Sequence, residues 1–111
     1  MEIRQRTNRN VLILDLQGSF TIGRSEERYR ELVNQLLAEG KKELLINLAE
    51  VSMVDSSGLG ALLKSFNSVK QVEGQLKLLK PSDLTRRLLS ITGLVSIFEV
   101  FDDETAALSS F

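Results

Sequence analysis

Two hydrophobic periods alternate along this chain, two residues in some stretches and near 3.6 in others, and that alternation limits the fold more than any other feature. Leu12, Leu14 and Leu16 fall on one side of a period-two stretch, preceded by turn residues Asn8-Arg9-Asn10 and a polar segment at 2–7, which together read as an opening hairpin. From Ser25 the period lengthens. Tyr29, Leu32, Val33, Leu36 and Leu37 make a helical stripe, with Ser25 as cap, Glu26 and Glu27 in the first turn and Gly40 past the end. Leu44-Leu45-Ile46-Asn47-Leu48 is apolar on both faces apart from Asn47, the pattern of a central strand. Leu59, Leu62, Leu63, Phe66 and Val69 form the next stripe, closed by Gly74; Leu76, Leu78 and Leu79 mark a short strand ending at Pro81. Leu84, Leu88 and Ile91 form a third stripe stopped at Gly93-Leu94, followed by a strand within 95–101 and a helix capped at Asp102. The order ββαβαβαβα implies an α/β sandwich: a mixed sheet of about five strands, parallel after the hairpin, with about four helices.

Asp55-Ser56-Ser57-Gly58-Leu59-Gly60 joins the central strand to the second helix. Asp and Ser cap helices because their side-chain oxygens accept from the first free backbone N–H groups. With Asp55 as the cap, Ser56 is the first helical residue, an exposed hydroxyl where partial positive charge favours an added anion. An isolated Asp-Ser-Ser is most simply a structural cap. Gly58 and Gly60 argue for more, since glycine in a first turn costs up to about 1 kcal/mol relative to alanine unless another surface must come close.

The remaining composition removes most alternatives. With 111 residues the chain is sized for one domain, 1–111. It has no cysteine and no histidine, so thiolate nucleophiles, imidazole acid–base pairs and Cys or His metal ligands are excluded. The expectation is a protein that is not an enzyme and uses neither cofactor nor metal. Fourteen basic and fifteen acidic residues are interspersed, leaving no electrostatic footprint for nucleic acid or an anionic membrane. No apolar run approaches the roughly 20 residues of a membrane span, and a cytoplasmic location is expected.

The chain resembles the STAS family, the fold of bacterial anti-sigma factor antagonists. The resemblance is carried by Leu45 to Val51, by the signature Val54-Asp55-Ser56-Ser57-Gly58-Leu59-Gly60, by Gly74 to Leu78, and by Leu89 to Leu94 with Phe98. It implies a phosphoacceptor at Ser56, surrounded by Asp55, Ser57, Gly58, Leu59 and Gly60. The implied partner is an anti-sigma factor that is also a GHKL-type serine kinase; the unmodified antagonist binds it and frees a sigma factor. Weak homo-oligomerisation is compatible with such a module. The alternative within the family is a constitutive adaptor subunit of a transporter or of a sensory, stressosome-like complex. One departure stands out: family antagonists carry Gly-Glu-Leu-Asp after the second strand, whereas this chain has Gly18-Ser19-Phe20-Thr21, with Thr21 in place of an acidic docking residue. Candidate partner contacts are then Phe20, Thr21, Ile22, Ser56, Ser57 and Leu59.

Gly18-Ser19-Phe20-Thr21-Ile22-Gly23-Arg24-Ser25 is a near miss to the phosphate-cradling GxxxxGK[ST] loop. Arg24 replaces the lysine, and Phe20 and Ile22 add bulk where backbone should wrap phosphate, so the segment reads as a surface loop whose two apolar residues form part of a docking face. Asn47 is assigned a backbone hydrogen bond near a strand end, Met53, Leu59 and Leu62 are assigned to the core, and the charged face from Arg24 to Glu31 to solvent.

Overall fold

The computed structural model describes residues 1–111 throughout. Strand β1 (Glu2–Asn8) turns back through Arg9 and Asn10, both at positive φ, into β2 (Val11–Phe20). Such a two-residue loop matches the right-handed strand twist. Then follow α1 (Arg24–Ala38), β3 (Glu43–Val54), α2 (Ser56–Gln71), β4 (Gln75–Leu79), α3 (Asp83–Ile91), a 3-10 turn at Leu94–Ser96, β5 (Val100–Phe101) and α4 (Glu104–Ser109). The sheet order is β1-β2-β3-β4-β5, with β1 antiparallel to β2 and every other pair parallel. The mixed sheet and the helix count match the expected architecture.

Side-chain alternation divides the sheet into two unequal layers. Leu12, Leu14, Leu16, Leu44, Ile46, Leu48 and Leu78 face a large core shared with α1, α2 and α3. Val11, Ile13, Leu45 and Leu79 face the other way, under Ala107 and Leu108 of α4. The short α4 covers only part of that second face. Beyond it the inward positions turn polar: the Arg6 guanidinium donates to Asp15 at 2.7 Å and to Glu104 at 2.9 Å, and Asn47 Nδ2 donates to Asp15 at 2.8 Å. Asn47 Oδ1 also accepts from the Ala49 N–H at 3.1 Å, which is the backbone role expected of it.

Several boundaries differ from the sequence expectations, each for a physical reason. Gly23, not Ser25, precedes the first turn of α1; the Ser25 hydroxyl instead accepts from the Thr21 N–H at 2.9 Å and donates to the Thr21 carbonyl at 2.7 Å. After α2 the left-handed residue is Glu73, while Gly74 is needed because a Cβ there would lie 2.3 Å from the Lys42 carbonyl. In α3 the phase is turned: Thr85 and Leu89 are buried, whereas Leu84 and Ile91 are 53% and 73% exposed. Leu88 is half-buried at the flank of that face. The strand expected within 95–101 is reduced to Val100–Phe101, because Phe98 turns into the core against Phe66, ring centroids 5.2 Å apart. The last helix is capped by Asp103, whose side chain accepts from Ala106; Asp102 pairs with Arg86 instead.

The Arg6 cluster gives the fold an acid-sensitive clasp between β1, β2 and α4. Partial burial pushes Asp15 up, but hydrogen bonds from Arg6 and Asn47 outweigh it and hold the carboxyl below its ordinary range. The hydrogen bond from Arg6 lowers Glu104 in the same way. A carboxylate whose folded pKa is depressed adds stability above its unfolded pKa and loses it as pH falls through the folded value. The urea midpoint of the wild type should therefore fall more steeply below about pH 5 than that of Arg6→Ala. Parallel acid limbs in the two proteins would show that the clasp contributes nothing.

Candidate functional site at the start of the second helix

Strand β3 outruns β4 by seven residues and delivers Asp55 in an extended conformation, φ −101° and ψ −174°, as the cap of α2. One carboxylate oxygen accepts from the Gly58 N–H at 2.9 Å; the other accepts from the Ile22 N–H at 3.0 Å. The Ile22 bond first, and the Gly58 bond second, hold the Asp55 carboxyl below its ordinary range. The same residue's N–H donates to the Phe20 carbonyl at 3.4 Å. Asp55 thus ties the end of β2, the end of β3 and the first turn of α2 into one unit.

Gly58 completes it. A Cβ at Gly58 would stand 2.2 Å from the Phe20 carbonyl oxygen, so the β2 backbone can cross the first turn of α2 only because that residue is glycine. The surface that comes close to Gly58 belongs to the protein itself and not to a partner. At Gly60 a Cβ would meet nothing within 4 Å, which leaves that position facing open space.

Ser56 is exposed and Ser57 half-buried, so the two hydroxyls differ in access although they are adjacent. Two of the expected contact residues face inward: Phe20 is fully buried against Tyr29, ring centroids 4.9 Å apart, and Leu59 lies in the large core. Their β2 and α2 positions belong to the packed side of the sheet, where they support the site from within. Thr21 is half-buried, its N–H held by Ser25. Ile22 is 77% exposed.

Met53, assigned to the core by sequence, is 54% exposed. The pairing of β2 with β3 slips twice, between Asp15 and Gln17 and between Gly18 and Ser19, where Gly18 has φ +107°; after the first slip Val51 faces inward, and after the second Val54 faces inward and Met53 outward. Nothing in the apolar pattern of the sequence marks these slips. Ile22 and Met53 therefore give two exposed apolar side chains on segments joined to Asp55.

The chemistry open to this arrangement is narrow. The carboxylate nearest in sequence to Ser56 is held by two backbone N–H groups and is a weak base, so it cannot activate the serine as a nucleophile. What the site offers is an exposed hydroxyl on a helix N-terminus, a place where an anion is stabilised. The GxxxxGK[ST]-like segment has no such capacity, because Gly18 to Phe20 is β-strand and only three residues separate it from α1.

An α/β sandwich with this strand order and a capped Asp-Ser-Ser turn at the end of its third strand defines a small class, and the chain belongs to it: the STAS domain family model matches residues 2–107. Over 95 residues the chain is 35% identical to the anti-sigma-B factor antagonist of Bacillus subtilis strain 168, covering 86% of this chain and 85% of that one. Among solved structures, an anti-sigma factor antagonist from Mycobacterium paratuberculosis superposes with a TM-score of 0.84 at 20% identity, covering 98% and 92% of the two chains. The Bacillus cell fate determinant SpoIIAA in its phosphorylated form superposes at 0.78 with 22% identity, covering 98% of each chain. These two likenesses establish the shared fold.

The two glycines of the motif should separate in experiment. Gly58→Ala forces backbone apart and should cost about 1–3 kcal/mol in urea unfolding. Gly60→Ala, with open space around its Cβ, should gain up to about 1 kcal/mol from helix propensity. Equal stability of the two variants would contradict the crossing of β2 over α2.

Proposed function

We propose that this chain is an anti-sigma factor antagonist, a binding module and not an enzyme, acting in the cytoplasm. Ser56 is its phosphoacceptor, and an anti-sigma factor that is also a GHKL-type serine kinase is its partner. The unmodified form binds that kinase and releases a sigma factor; the phosphorylated form does not. The observation that carries this reading is the placement of Ser56 as the exposed first residue of α2, beside a carboxylate committed to backbone, in a chain of the STAS family. The antagonist named above as its Bacillus subtilis relative supports the same reading.

The docking face in this proposal comprises Thr21, Ile22, Met53, Ser56 and Ser57, with Gly60 leaving room beside them. Two of these side chains are exposed and apolar, and Thr21 carries no charge. Apolar contact then outweighs any charge pair there, and binding should depend only weakly on salt.

The test pairs two substitutions with mapping. Incubation with the cognate kinase and ATP should modify Ser56 and not Ser57. Ser56→Asp should stay folded, since a negative group at a helix N-terminus gains roughly 0.3–1 kcal/mol from the dipole. It should lose kinase binding by a hundred- to a few-thousand-fold, the equivalent of the about 3–5 kcal/mol cost of burying an unpaired carboxylate. Ser56→Ala should still bind. Wild-type affinity in Ser56→Asp, measured by calorimetry on a protein with an intact melting transition, would point to the constitutive adaptor instead.

A further inference from the structure

Helices α1 and α2 pack side by side but do not close completely. Along the side facing α1, α2 carries Ala61, Ser65 and Ser68, spaced at four and three residues, where larger side chains would fill the space. The result is a hollow of about 340 Å³ with Val33 and Ala61 in its lining. Ser65 is fixed within that lining: its hydroxyl donates to the Leu62 carbonyl at 2.8 Å and lies 2.7 Å from the buried Tyr29 hydroxyl. The floor is therefore built from satisfied, packed groups.

The polar lining has one sign. Arg30 and Lys64 contribute the charges, Asn34, Asn67 and Ser68 contribute neutral donors, and no carboxylate lines the hollow. Arg30 touches Glu26 only at 3.7 Å, and Lys64 has no salt-bridge partner. The other four sizeable hollows differ: each pairs its basic residues with at least one Glu or Asp. Arg30 is thus partly neutralised by Glu26 one turn back, while Lys64 remains uncompensated by any acid of this chain, which leaves the groove with a net positive charge.

We propose that this groove between α1 and α2 is a binding site for a small polar anion, a phosphate ester or polycarboxylate of about sugar size. Arg30 supplies a planar fork and Lys64 a point charge for the oxyanion. Asn34, Asn67 and Ser68 can hydrogen-bond a hydroxylated body. The volume is at the lower end of small-molecule sites and leaves most of its space empty around a bare phosphate, which favours an ester or polyacid over the free ion. Only two of the lining residues are apolar, so a lipid chain or an aromatic ligand finds little surface there. The site is independent of Ser56, whose modification requires none of these residues.

The experiment is a nitrogen-15 amide-shift titration of the whole chain at constant ionic strength, with inorganic phosphate, glucose 6-phosphate and citrate as probes and chloride as control. Glucose 6-phosphate or citrate should produce saturable shifts at Asn34, Lys64, Asn67 and Ser68 and bind more tightly than inorganic phosphate. Which of the two binds tighter distinguishes the ester from the polyacid. Lys64→Glu, an exposed substitution checked by its melting transition, should weaken binding by at least about tenfold. Arg87→Glu, a surface charge on α3, should leave it unchanged. The proposal fails if no probe saturates by about 10 mM, if shifts scatter over Arg24, Arg28 and the exposed arginines of β1, or if Lys64→Glu binds as the wild type does.

Discussion

The Asp55 carboxylate bonds two backbone N–H groups from segments 33 and 3 residues away, Ile22 and Gly58, and the geometry of the whole upper edge of the sheet follows from that bridge. Capping alone would need only one of its oxygens. The second oxygen ties the three-residue connection from β2 to α1 to the start of α2. A cap of this kind contributes about 0.5–2 kcal/mol in exposed helices, and here it is seated over a backbone crossing that tolerates no Cβ at Gly58. Ser56 is the exposed residue of this turn, beside an Asp55 carboxylate committed to backbone N–H groups, a half-buried Ser57 and a Gly58 buried against the Phe20 carbonyl.

Below that edge the molecule is asymmetric. Three helices share the large core on one face of the sheet, and the single turn and a half of α4 covers the other. The second face is completed by polar groups satisfied among themselves. Lys77 on β4 shows the principle: its ammonium, nearly inaccessible, donates to the Ser110 carbonyl at 2.7 Å and hydroxyl at 2.9 Å, pairs with Glu99 at 2.8 Å, and lies 4.8 Å from the Phe111 ring centroid. A buried cation with one partner removed would be strongly unfavourable. With several, it pins the C-terminal residues to the sheet.

Where period and punctuation agreed, the sequence was readable. Leu12, Leu14 and Leu16 in β2, Tyr29, Val33 and Leu36 in α1, and the Asp55 cap all lie as their spacing implies. The α3 stripe misled because Leu84, Leu88 and Ile91 share a helical spacing while the side that docks carries Leu89 with a threonine, Thr85, one turn before it, a pair that apolar spacing does not single out. Met53 and Phe20 were misplaced for a related reason. Two register slips, before Gln17 and after Gly18, bring Val51 into the core between Leu48 and Val54 and leave Met53 outside, and whether Phe20 still belongs to the strand depends on a long-range pairing with Val54 that no local pattern encodes. Lys77, reading locally as a polar interruption of a short strand, gave no sign that it is a buried anchor.

The same rigidity decides how a modification at Ser56 can act. For the start of α2 to shift in response to an added charge, Gly58 would have to part from the Phe20 carbonyl, and Phe20 from Tyr29, whose hydroxyl is held to Ser65 deep between α1 and α2. Opening a packed aromatic contact costs on the order of 1–3 kcal/mol or more. The electrostatic force available is smaller: the helix dipole favours the new anion by roughly 0.3–1 kcal/mol, and the Asp55 carboxylate opposes it from a half-buried surface position where water and salt still screen the charge. The two nearly cancel inside the domain. At an interface that covers Ser56 there is no water to screen the charge and no dipole gain that was not already present, so the same group becomes costly only when a partner arrives. On a platform this stiff, a phosphate at Ser56 would change affinity for a partner without a change of shape.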